Sequence, residues 1–186
     1  LQGRATGVRA QTSGRRHGIH TCHVDRRRRH DIHIYFLNVD RGKKPKLIRA
    51  ATVAMSLDTF CRGLLAELSA DYEVVALSSP APVLDELGER EGVRTVAIPM
   101  ARQISPLADM RSLWRLYRAM RREKPDIVHS MTPKAGLLCM TAAWLARVPR
   151  RVHTFTGLIF PTSTGVRRRL LMLTDRITCA CATHVI

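Results

Sequence analysis

The sequence predicts an α/β fold in which helices cover both faces of a doubly wound parallel sheet. From residue 47 onward, short apolar segments of strand length alternate with longer segments of helical periodicity. Several short segments are rich in Val, Ile and Leu without polar alternation, which is typical of strands buried on both faces. Helices between successive strands serve as crossovers, and crossovers in parallel sheets are right-handed.

The first predicted elements are two strands joined by one helix. Residues 47–54 (LIRAATVA) and 72–78 (YEVVALS) are apolar and partly β-branched, so we expect strands there. Residues 57–69 have helical spacing of their apolar side chains. The predicted apolar face of this helix consists of Phe60, Leu64, Leu65 and Leu68.

The next elements are a short helix, a strand and a long helix. Residues 83–91 predict a helix that ends at Gly92, since glycine favours the left-handed conformation that ends helices. Residues 93–98 predict the third strand. Residues 107–124 predict a helix that Pro125 stops. Its apolar residues recur at intervals of three and four: Leu107, Met110, Leu113, Trp114, Tyr117 and Met120.

The last elements repeat the alternation of strand and helix. Residues 126–128 predict a buried strand, and residues 134–146 predict the helix that follows it. Residues 151–155 predict another strand. A basic helix over about residues 166–181 precedes a last strand that begins near residues 183–186.

Residues 125–138 (PDIVHSMTPKAGLL) form the segment around which the other predictions are arranged. The strand is followed by a polar turn, His129 to Pro133, and Lys134 opens the next helical pattern. In open α/β sheets, ligands bind beyond the carboxyl ends of the strands. We therefore expect a binding crevice here, the alternative being one more connection between a strand and a capped helix.

Several function classes lack their sequence signatures. No Walker GxxxxGK[ST] motif occurs, and Met55-Ser56-Leu57 stands where the glycines of a dinucleotide-binding GxGxxG motif would lie. The five cysteines form no CxxC pair and are odd in number, which favours a reducing cytosol over a disulfide framework. No apolar run reaches the length of about 18 residues that spans a bilayer.

Residues 1–46 differ in composition from the rest of the chain. They carry 12 Lys and Arg against three Asp, and so contribute +9 to a net charge of +16, without apolar periodicity. We predict that this segment is disordered or adventitious, because such a composition cannot offset its ordering entropy. A basic nucleic-acid-binding arm is an alternative for residues 26–29 (RRRR), but aromatic residues do not accompany them. The scattered His and Cys of the segment do not have zinc-site spacing.

Four segments carry a resemblance to a known family. They are EKPDIVHSMTPKAGLL, the following LLCMTAAWLARVPRRV, the turn HTFTG and the end LTDRITCACATHVI. Together they resemble the N-terminal half of bacterial family 4 glycosyltransferases, most closely the capsule and lipopolysaccharide branch with a GT-B fold. The resemblance covers roughly residues 46–186.

The resemblance implies an enzyme with two Rossmann-like domains that face a cleft. The N-terminal domain would hold the acceptor, a glycan or polyprenyl-linked sugar, and the C-terminal domain would hold the nucleotide-sugar donor. Residues 47–186 would then be the acceptor-side domain, truncated before the donor-binding domain and inactive alone. The nucleotide-sugar would be a co-substrate, and no cofactor or metal is implied.

Five site residues follow from the resemblance in the second half of the chain. His129 would be the catalytic residue that faces the cleft, whereas its alternative is a satisfied core histidine. Thr132 and Lys134 would bind sugar hydroxyls and a diphosphate, or else belong to the start of a helix with a solvated lysine. Thr156 and Gly157 resemble an acceptor-side turn in which glycine permits close backbone approach.

Two further site residues, Ser56 and Gly63, come from the segment that resembles the family's first βα loop near the donor phosphates. Two departures weaken the pattern. The loop lacks the double glycine of many relatives, and Met131 stands where the family often has the second histidine of a His-x-His motif.

The basic helix also predicts peripheral contact with an anionic membrane. Arg167, Arg168 and Arg169 adjoin an apolar stripe, and the long helix adds four arginines: Arg115, Arg118, Arg121 and Arg122. A core-facing helix with solvated arginines is the alternative. We expect a cytoplasmic protein at the inner face of the plasma membrane, with no specific nucleic-acid partner. The alternative functions are a non-enzymatic sugar- or lipid-binding half-domain and a nucleic-acid-binding module that rests on charge alone.

Overall fold

The computed structural model describes residues 43–103, 105–156 and 165–186. This part of the chain contains the strands β1 (Lys46–Ala50), β2 (Glu73–Ser78), β3 (Arg94–Ala97), β4 (Ile127–Met131), β5 (Arg150–Thr154) and β6 (His184–Val185). It also contains the helices α1 (Ala54–Cys61), α2 (Leu64–Leu68), α3 (Pro82–Glu91), α4 (Pro106–Glu123), α5 (Pro133–Leu145) and α6 (Gly165–Cys181). The predicted alternation of strands and helices is confirmed.

The strands form one sheet in the order β3-β2-β1-β4-β5-β6, and each neighbouring pair is parallel. β1 lies at the centre, with Ile48 opposite Val75 of β2 and Arg49 opposite His129 of β4. The chain winds outward from β1 to β3, returns through α4, and winds outward again from β4 to β6. The predicted doubly wound parallel sheet is therefore confirmed, and its switch point lies between β1 and β4.

Helices cover the two faces of the sheet in separate layers. α1 and α3 pack together on one face, and α5 packs between α4 and α6 on the other. Alternate residues of β1 point into the two cores, as strand geometry requires. The α1/α3 core contains Leu47, Leu57, Leu65, Leu84 and Leu87. The α4/α5 core contains Ile48, Val75, Leu116, Met120 and Met140.

The first strand and helix differ from their predicted bounds. β1 ends at Ala50, and α1 already begins at Ala54, so the predicted strand 47–54 is too long. The predicted helix 57–69 is two helices, α1 and α2, which break at Gly63 with φ +74°. The Glu91 carboxylate accepts hydrogen bonds from the backbone N–H groups of Gly63 (3.0 Å) and Ala66 (3.2 Å) and so satisfies the start of α2.

β4 is longer than predicted. It continues through His129 and Ser130, which we expected in a turn, and all five of its residues are buried. Burial of these two polar residues is tolerated because His129 bonds to Thr154 and Ser130 bonds to His153, both on the neighbouring β5.

The predicted apolar face of α4 only partly meets the core. Met120 is buried, but Leu107, Met110 and Trp114 are 82%, 67% and 59% exposed. The helix is rotated so that Ser112, Leu116 and Met120 face inward. This rotation leaves three large apolar side chains, Leu107, Met110 and Trp114, exposed on the outer side of α4.

Residues 44–46, which the prediction assigned to the N-terminal segment, contact the sheet. Lys46 is the first residue of β1, and its backbone N–H donates to the Asp126 carboxylate at 2.8 Å. The Lys44 ammonium donates to the Ser69 carbonyl at 2.8 Å. Residues 44–46 therefore belong with the sheet, and the rest of the predicted N-terminal segment, residues 1–42, lies outside the described residues.

Candidate functional site

A hydrogen-bonded pair of threonines joins the carboxyl ends of the two central strands. The Thr132 hydroxyl accepts from the Thr52 backbone N–H at 3.1 Å, and the two hydroxyl oxygens are 2.8 Å apart. The Thr52 hydroxyl also accepts from the Ala135 backbone N–H at 3.1 Å, and so it caps the start of α5. The β1 loop and the β4 loop therefore hold each other in place.

Thr132 has an uncommon backbone conformation, with φ +126° and ψ 139°. This region is rare for a β-branched residue, and such strain persists only where surrounding contacts enforce it. Here the contacts are the hydrogen bonds to Thr52 and the Gly136 N–H that donates to the Thr132 carbonyl at 2.8 Å. Strain of this kind at the end of a central strand marks the loop as a candidate site.

Ser79 extends this network to the loops after β2 and β3. Its hydroxyl donates to the Thr52 carbonyl (2.7 Å), and its oxygen accepts from the Met100 backbone N–H (3.0 Å). The loops that follow four adjacent strands, β3, β2, β1 and β4, are thus fixed to one another along the carboxyl edge. A rigid edge of this type can position a bound molecule without a large reorganisation.

His129 lies beneath this edge rather than on it. Its side chain is 3% exposed, so the prediction that it faces the cleft is corrected. The ring contacts the Arg49 guanidinium through Nδ1 and the Thr154 hydroxyl through Nε2, the latter at 2.8 Å. Burial lowers the pKa of His129 well below its usual value, and the charge of Arg49 and the neighbouring His153 act in the same direction.

A second buried histidine occupies the opposite face of the sheet. His153 Nδ1 lies 2.8 Å from the Ser130 hydroxyl, and burial lowers the pKa of His153 to about 4. Its ring packs against Gly136 of α5 and meets the Phe155 ring edge-on at 4.5 Å. This serine and histidine lie inside the α5 layer, so they pack the core rather than face the edge.

Lys134 forms an ion pair with Asp109. Its ammonium lies 2.7 Å from the Asp109 carboxylate and also donates to the Gln103 carbonyl. The side chain is only 15% exposed. These contacts tie the start of α5 to the start of α4, so a diphosphate would have to share this ammonium with Asp109.

The remaining predicted residues are spread over two edges. Ser56 lies in the first turn of α1, close to the carboxyl end of β1, and Thr156 is exposed immediately after β5. Gly63 lies beside the C-terminal end of α3, at the amino edge of the sheet, where it contacts Glu91. Gly63 is therefore removed from the candidate site. Gly157 lies outside the described residues.

The structure adds four residues that the sequence interpretation missed: Arg49, Thr52, Asp109 and Thr154. Arg49 had a visible signal, because a lone arginine interrupts an otherwise apolar strand. A charged residue in a strand buried on both faces requires a partner. The other three had no local signal, because their partners lie 25 to 83 residues away in the sequence.

Comparison with known proteins identifies the family. A family profile described as "Glycosyl transferase 4-like domain" matches residues 57–186. The capsular polysaccharide biosynthesis glycosyltransferase CapM of Staphylococcus aureus is 34% identical over 145 residues, which are 77% of this chain and 37% of CapM. The UDP-Gal:alpha-D-GlcNAc-diphosphoundecaprenol alpha-1,3-galactosyltransferase of Escherichia coli is 42% identical over 83 residues, which are 44% of this chain and 21% of that enzyme. The chain thus spans well under half the length of these curated relatives.

Solved structures agree on the fold. Acinetobacter baumannii MurG superimposes with a TM-score of 0.53 at 16% identity, over 76% of this chain and 41% of MurG. The UDP-N-acetylglucosamine 2-epimerase of Rickettsia bellii gives a TM-score of 0.57 at 14% identity, over 77% of this chain and 38% of the epimerase. At these identities the likeness extends to the fold alone.

Proposed function

This chain belongs to the glycosyl transferase 4-like family, and from that premise we propose that it is the acceptor-binding side of a glycosyltransferase. The enzyme would transfer a sugar from a nucleotide-sugar to a lipid-linked glycan acceptor during cell-surface polysaccharide synthesis. The observation that carries the proposal is the family match, which extends over residues 57–186. The nucleic-acid-binding alternative rested on charge alone and finds no support in the comparisons.

The carboxyl edge of the sheet supports a positioning role. Its loops are fixed by the Thr52–Thr132 pair and by Ser79, and the edge lies at the switch point between β1 and β4. Sugar transfer requires an acceptor hydroxyl to be held close to the anomeric carbon of the donor sugar. Positioning of this kind supplies a large share of the rate in such reactions. Thr132 and Thr156 remain the proposed sugar and acceptor contacts at this edge, and Ser56 remains the residue proposed to lie near the donor phosphates.

A second Rossmann-like unit would supply the donor side. A single six-stranded sheet offers one wall of a cleft, and a leaving nucleotide must be held against the opposite wall. We therefore propose that the 186 residues transfer no sugar unless a donor-binding domain is present. The nucleotide-sugar is the proposed co-substrate, and no further cofactor is proposed.

The name of the E. coli relative suggests the chemistry of the acceptor. That enzyme acts on GlcNAc-diphosphoundecaprenol by its name. We propose the same class of acceptor here, a sugar joined through a diphosphate to a long polyprenol.

Direct binding to the 186-residue chain tests this assignment. We expect GlcNAc-diphosphoundecaprenol in detergent micelles to bind at least about tenfold more tightly than UDP-galactose, because the donor-binding side lies elsewhere. Undecaprenyl phosphate in the same micelles serves as the matched control for the lipid alone. Tighter binding of UDP-galactose, or no binding of the lipid-linked sugar, would overturn the acceptor-side assignment.

The α4–α6 layer supports a peripheral membrane location for the proposed enzyme. Of the twelve large exposed hydrophobic side chains among the described residues, three lie on α4, two on α5 and four on α6. The four on α6 form one stripe at helical spacing: Val166, Leu170, Leu173 and Ile177. None of the described helices is long and apolar enough to span a membrane.

The positive charge of the α4–α6 layer also favours contact with an anionic membrane. The helices α4 and α6 also carry eight exposed arginines: Arg111, Arg115, Arg118, Arg121, Arg122, Arg168, Arg169 and Arg176. The acidic residues of α4 pair inward, Asp109 with Lys134 and Glu123 with Arg94. An outer surface that is both apolar and cationic complements an anionic bilayer, such as the inner face of the plasma membrane.

Vesicle sedimentation with two matched aromatic substitutions tests this location. Trp114 on α4 is 59% exposed, and Phe60 on α1, on the opposite face of the sheet, is 54% exposed. We expect Trp114→Ser to weaken binding to phosphatidylglycerol vesicles about tenfold, and Phe60→Ser to leave it unchanged. Equal binding of phosphatidylcholine vesicles, or equal effects of the two substitutions, would contradict the proposed membrane face.

A further inference from the structure

A row of three polar side chains crosses the middle of the sheet. Arg49 of β1, His129 of β4 and Thr154 of β5 lie on the face that α1 covers, with Arg49 directly opposite His129 in the strand register. One guanidinium nitrogen of Arg49 contacts His129 Nδ1, and His129 Nε2 lies 2.8 Å from the Thr154 hydroxyl oxygen. The row begins in the core and ends at the last residue of β5.

The chemistry of arginine fixes the direction of these hydrogen bonds. A guanidinium carries only donors and stays protonated, so His129 Nδ1 must be the acceptor. The ring proton of a neutral histidine then lies on Nε2, and it donates to the Thr154 oxygen. A protonated ring would place an N–H against the N–H of Arg49, which the contact does not permit. The geometry therefore selects one neutral tautomer of His129.

The surroundings of Arg49 strengthen this selection. Arg49 is 8% exposed, and no carboxylate among the described residues forms an ion pair with it. Its Nε atom is buried, and none of the described residues forms a hydrogen bond with it. Within the described ranges, no carboxylate therefore neutralises the positive charge of Arg49 beside His129, and His153 lies nearby on the other face of the sheet. The Arg49 charge opposes a second positive charge on the ring, whereas His153, whose pKa is lowered to about 4, is neutral near pH 7.

Among the described residues, the hydroxyl at the outer end of the row contacts His129 and has no second hydrogen-bond partner. The Thr154 oxygen accepts from His129, and among the described residues no acceptor takes the hydrogen of this hydroxyl. Thr154 is partly exposed at the carboxyl edge, two residues before the exposed Thr156. Because none of the described residues accepts its hydrogen, this hydroxyl is available to donate to an oxygen of a bound molecule.

We propose that Thr154 is a binding residue for the acceptor substrate, that its hydroxyl donates to an oxygen of that substrate, and that Arg49 and His129 are positioning residues behind it. The proposal rests on the proposed function and names a contact within it. The substrate atom that accepts this hydrogen bond is an oxygen, which belongs either to the sugar or to the diphosphate of the lipid-linked acceptor. His129 then acts on substrate only through Thr154.

Nitrogen-15 NMR of the imidazole rings in the 186-residue chain tests the row itself. We expect His129 to show a protonated Nε2 and a bare Nδ1 throughout about pH 5–8. Arg49→Met removes the donor and the positive charge, so the pKa of His129 should rise and its ring proton should no longer be confined to Nε2, while burial still holds this pKa below its usual value. Arg118→Met, at an exposed arginine of α4, is the matched control and should leave the spectrum unchanged. Two results in the wild-type chain would contradict the proposed hydrogen bonds of His129. One is titration near its usual pKa, and the other is a proton on Nδ1. Both can be observed even if Arg49→Met does not fold.

Acceptor binding tests the outer end of the row. We expect Thr154→Val to weaken the binding of GlcNAc-diphosphoundecaprenol about tenfold, and Thr154→Ser to restore it, because serine retains the hydroxyl. Thr174→Val on α6 is the matched control. A parallel measurement with undecaprenyl diphosphate separates the two sources, since a sugar contact affects only the sugar-bearing lipid and a diphosphate contact affects both.

The outcomes separate this inference from the proposed function. Unchanged binding by Thr154→Val, in a chain that binds the acceptor, would overturn the role of Thr154 alone. A wild-type chain that binds neither lipid would overturn the proposed function and the substrate contact together. The NMR experiment would still decide whether Arg49 selects the tautomer of His129.

Discussion

Several single polar residues of this domain connect segments that are distant in the sequence, through hydrogen bonds or ion pairs. Lys134 connects α5 to α4 through Asp109, and Thr52 connects the loop after β1 to the start of α5. The residue types at these positions were visible in the sequence, whereas their partners were not. From the sequence, a lysine next to a polar turn predicts a ligand contact. In the structure, Lys134 pairs with the Asp109 carboxylate, 25 residues earlier in the chain. The sequence cannot separate these two cases, because spacing along the chain does not give distance in the fold.

Glu123 provides a test of such a tie through its pH dependence. Hydrogen bonds from Arg94 lower the pKa of Glu123 to about 2, with a smaller contribution from Lys46 and against the opposing effect of burial. Since the folded pKa lies below the unfolded value near 4.5, the stabilisation is complete above about pH 4.5 and is lost as the pH falls toward 2.

We expect Glu123→Gln to lower the free energy of unfolding at pH 7 by about 1–2 kcal/mol. The Arg94 side chain is 47% exposed, so solvent screening keeps the effect below the value that the pKa shift alone would give. Urea unfolding at pH 7 and pH 2.5 measures the difference, which should shrink at the lower pH. Glu89→Gln, at an exposed glutamate of α3, is the control. An equal loss at both pH values would contradict an electrostatic tie.

At the scale of elements, the sequence predicted the order of strands and helices because their apolar periodicities are strong. Its errors have local physical causes. The helix expected over residues 57–69 breaks at Gly63, where the left-handed conformation and the Glu91 carboxylate favour a new helix start. β4 extends through His129 and Ser130 because partners on β5 satisfy both side chains. No single-sequence pattern contains such cross-strand partners.

The contact between α5 and β5 yields a prediction about helix packing. A Cβ atom added at Gly136 would lie 2.4 Å from His153 Cε1 and 2.8 Å from its Nε2. Alanine favours helix over glycine by about 1 kcal/mol, but overpacking of a closed core costs about 1–3 kcal/mol. We therefore expect Gly136→Ala to destabilise the chain in urea unfolding.

A double-mutant cycle supplies the control for that substitution. His153→Ala removes the ring that the new methyl group would strike, so Gly136→Ala should become neutral or stabilising in that background. A stabilising effect of Gly136→Ala in the wild-type background would show that the ring moves aside freely, and would contradict the packing argument.

At the scale of the whole molecule, charge and apolar exposure separate the two faces of the sheet. The α4–α6 layer carries most of the exposed hydrophobic side chains and eight exposed arginines, whereas the arginines of the α1/α3 layer are drawn into pairs, as Arg62 and Arg90 are with Asp58. The sequence placed arginines on the long helix and on the basic helix, but it did not show that both helices lie on the face of the sheet opposite α1 and α3. Net charge is a sum over the whole chain, so it does not show which face of the sheet carries the charge. On α4, the rotation of the helix against the sheet determines which side chains are exposed to solvent.

The contacts of residues 44–46 give the last prediction. Composition predicts that the N-terminal segment adds no stability, but the last three residues assigned to that segment contact the sheet. The Lys46 backbone N–H donates to Asp126, and its ammonium lies 2.9 Å from Glu73 and 3.3 Å from Glu123. The Pro45 carbonyl accepts from the Glu73 N–H at 2.9 Å. Residues 44–46 thus begin the pairing of β1 with both of its neighbours.

Two deletions that differ by four residues test this boundary. We expect removal of residues 1–42 to change the free energy of unfolding by less than about 0.5 kcal/mol. Removal of residues 1–46 should cost about 2–4 kcal/mol, since it deletes the first residue of the central strand and leaves the Glu73 N–H and the Asp126 carboxylate without these partners. Urea unfolding of both proteins beside the full chain measures the two steps. Equal stability of the two deletions would place the boundary after Lys46, and a large loss from the first deletion would show that the basic segment stabilises the sheet.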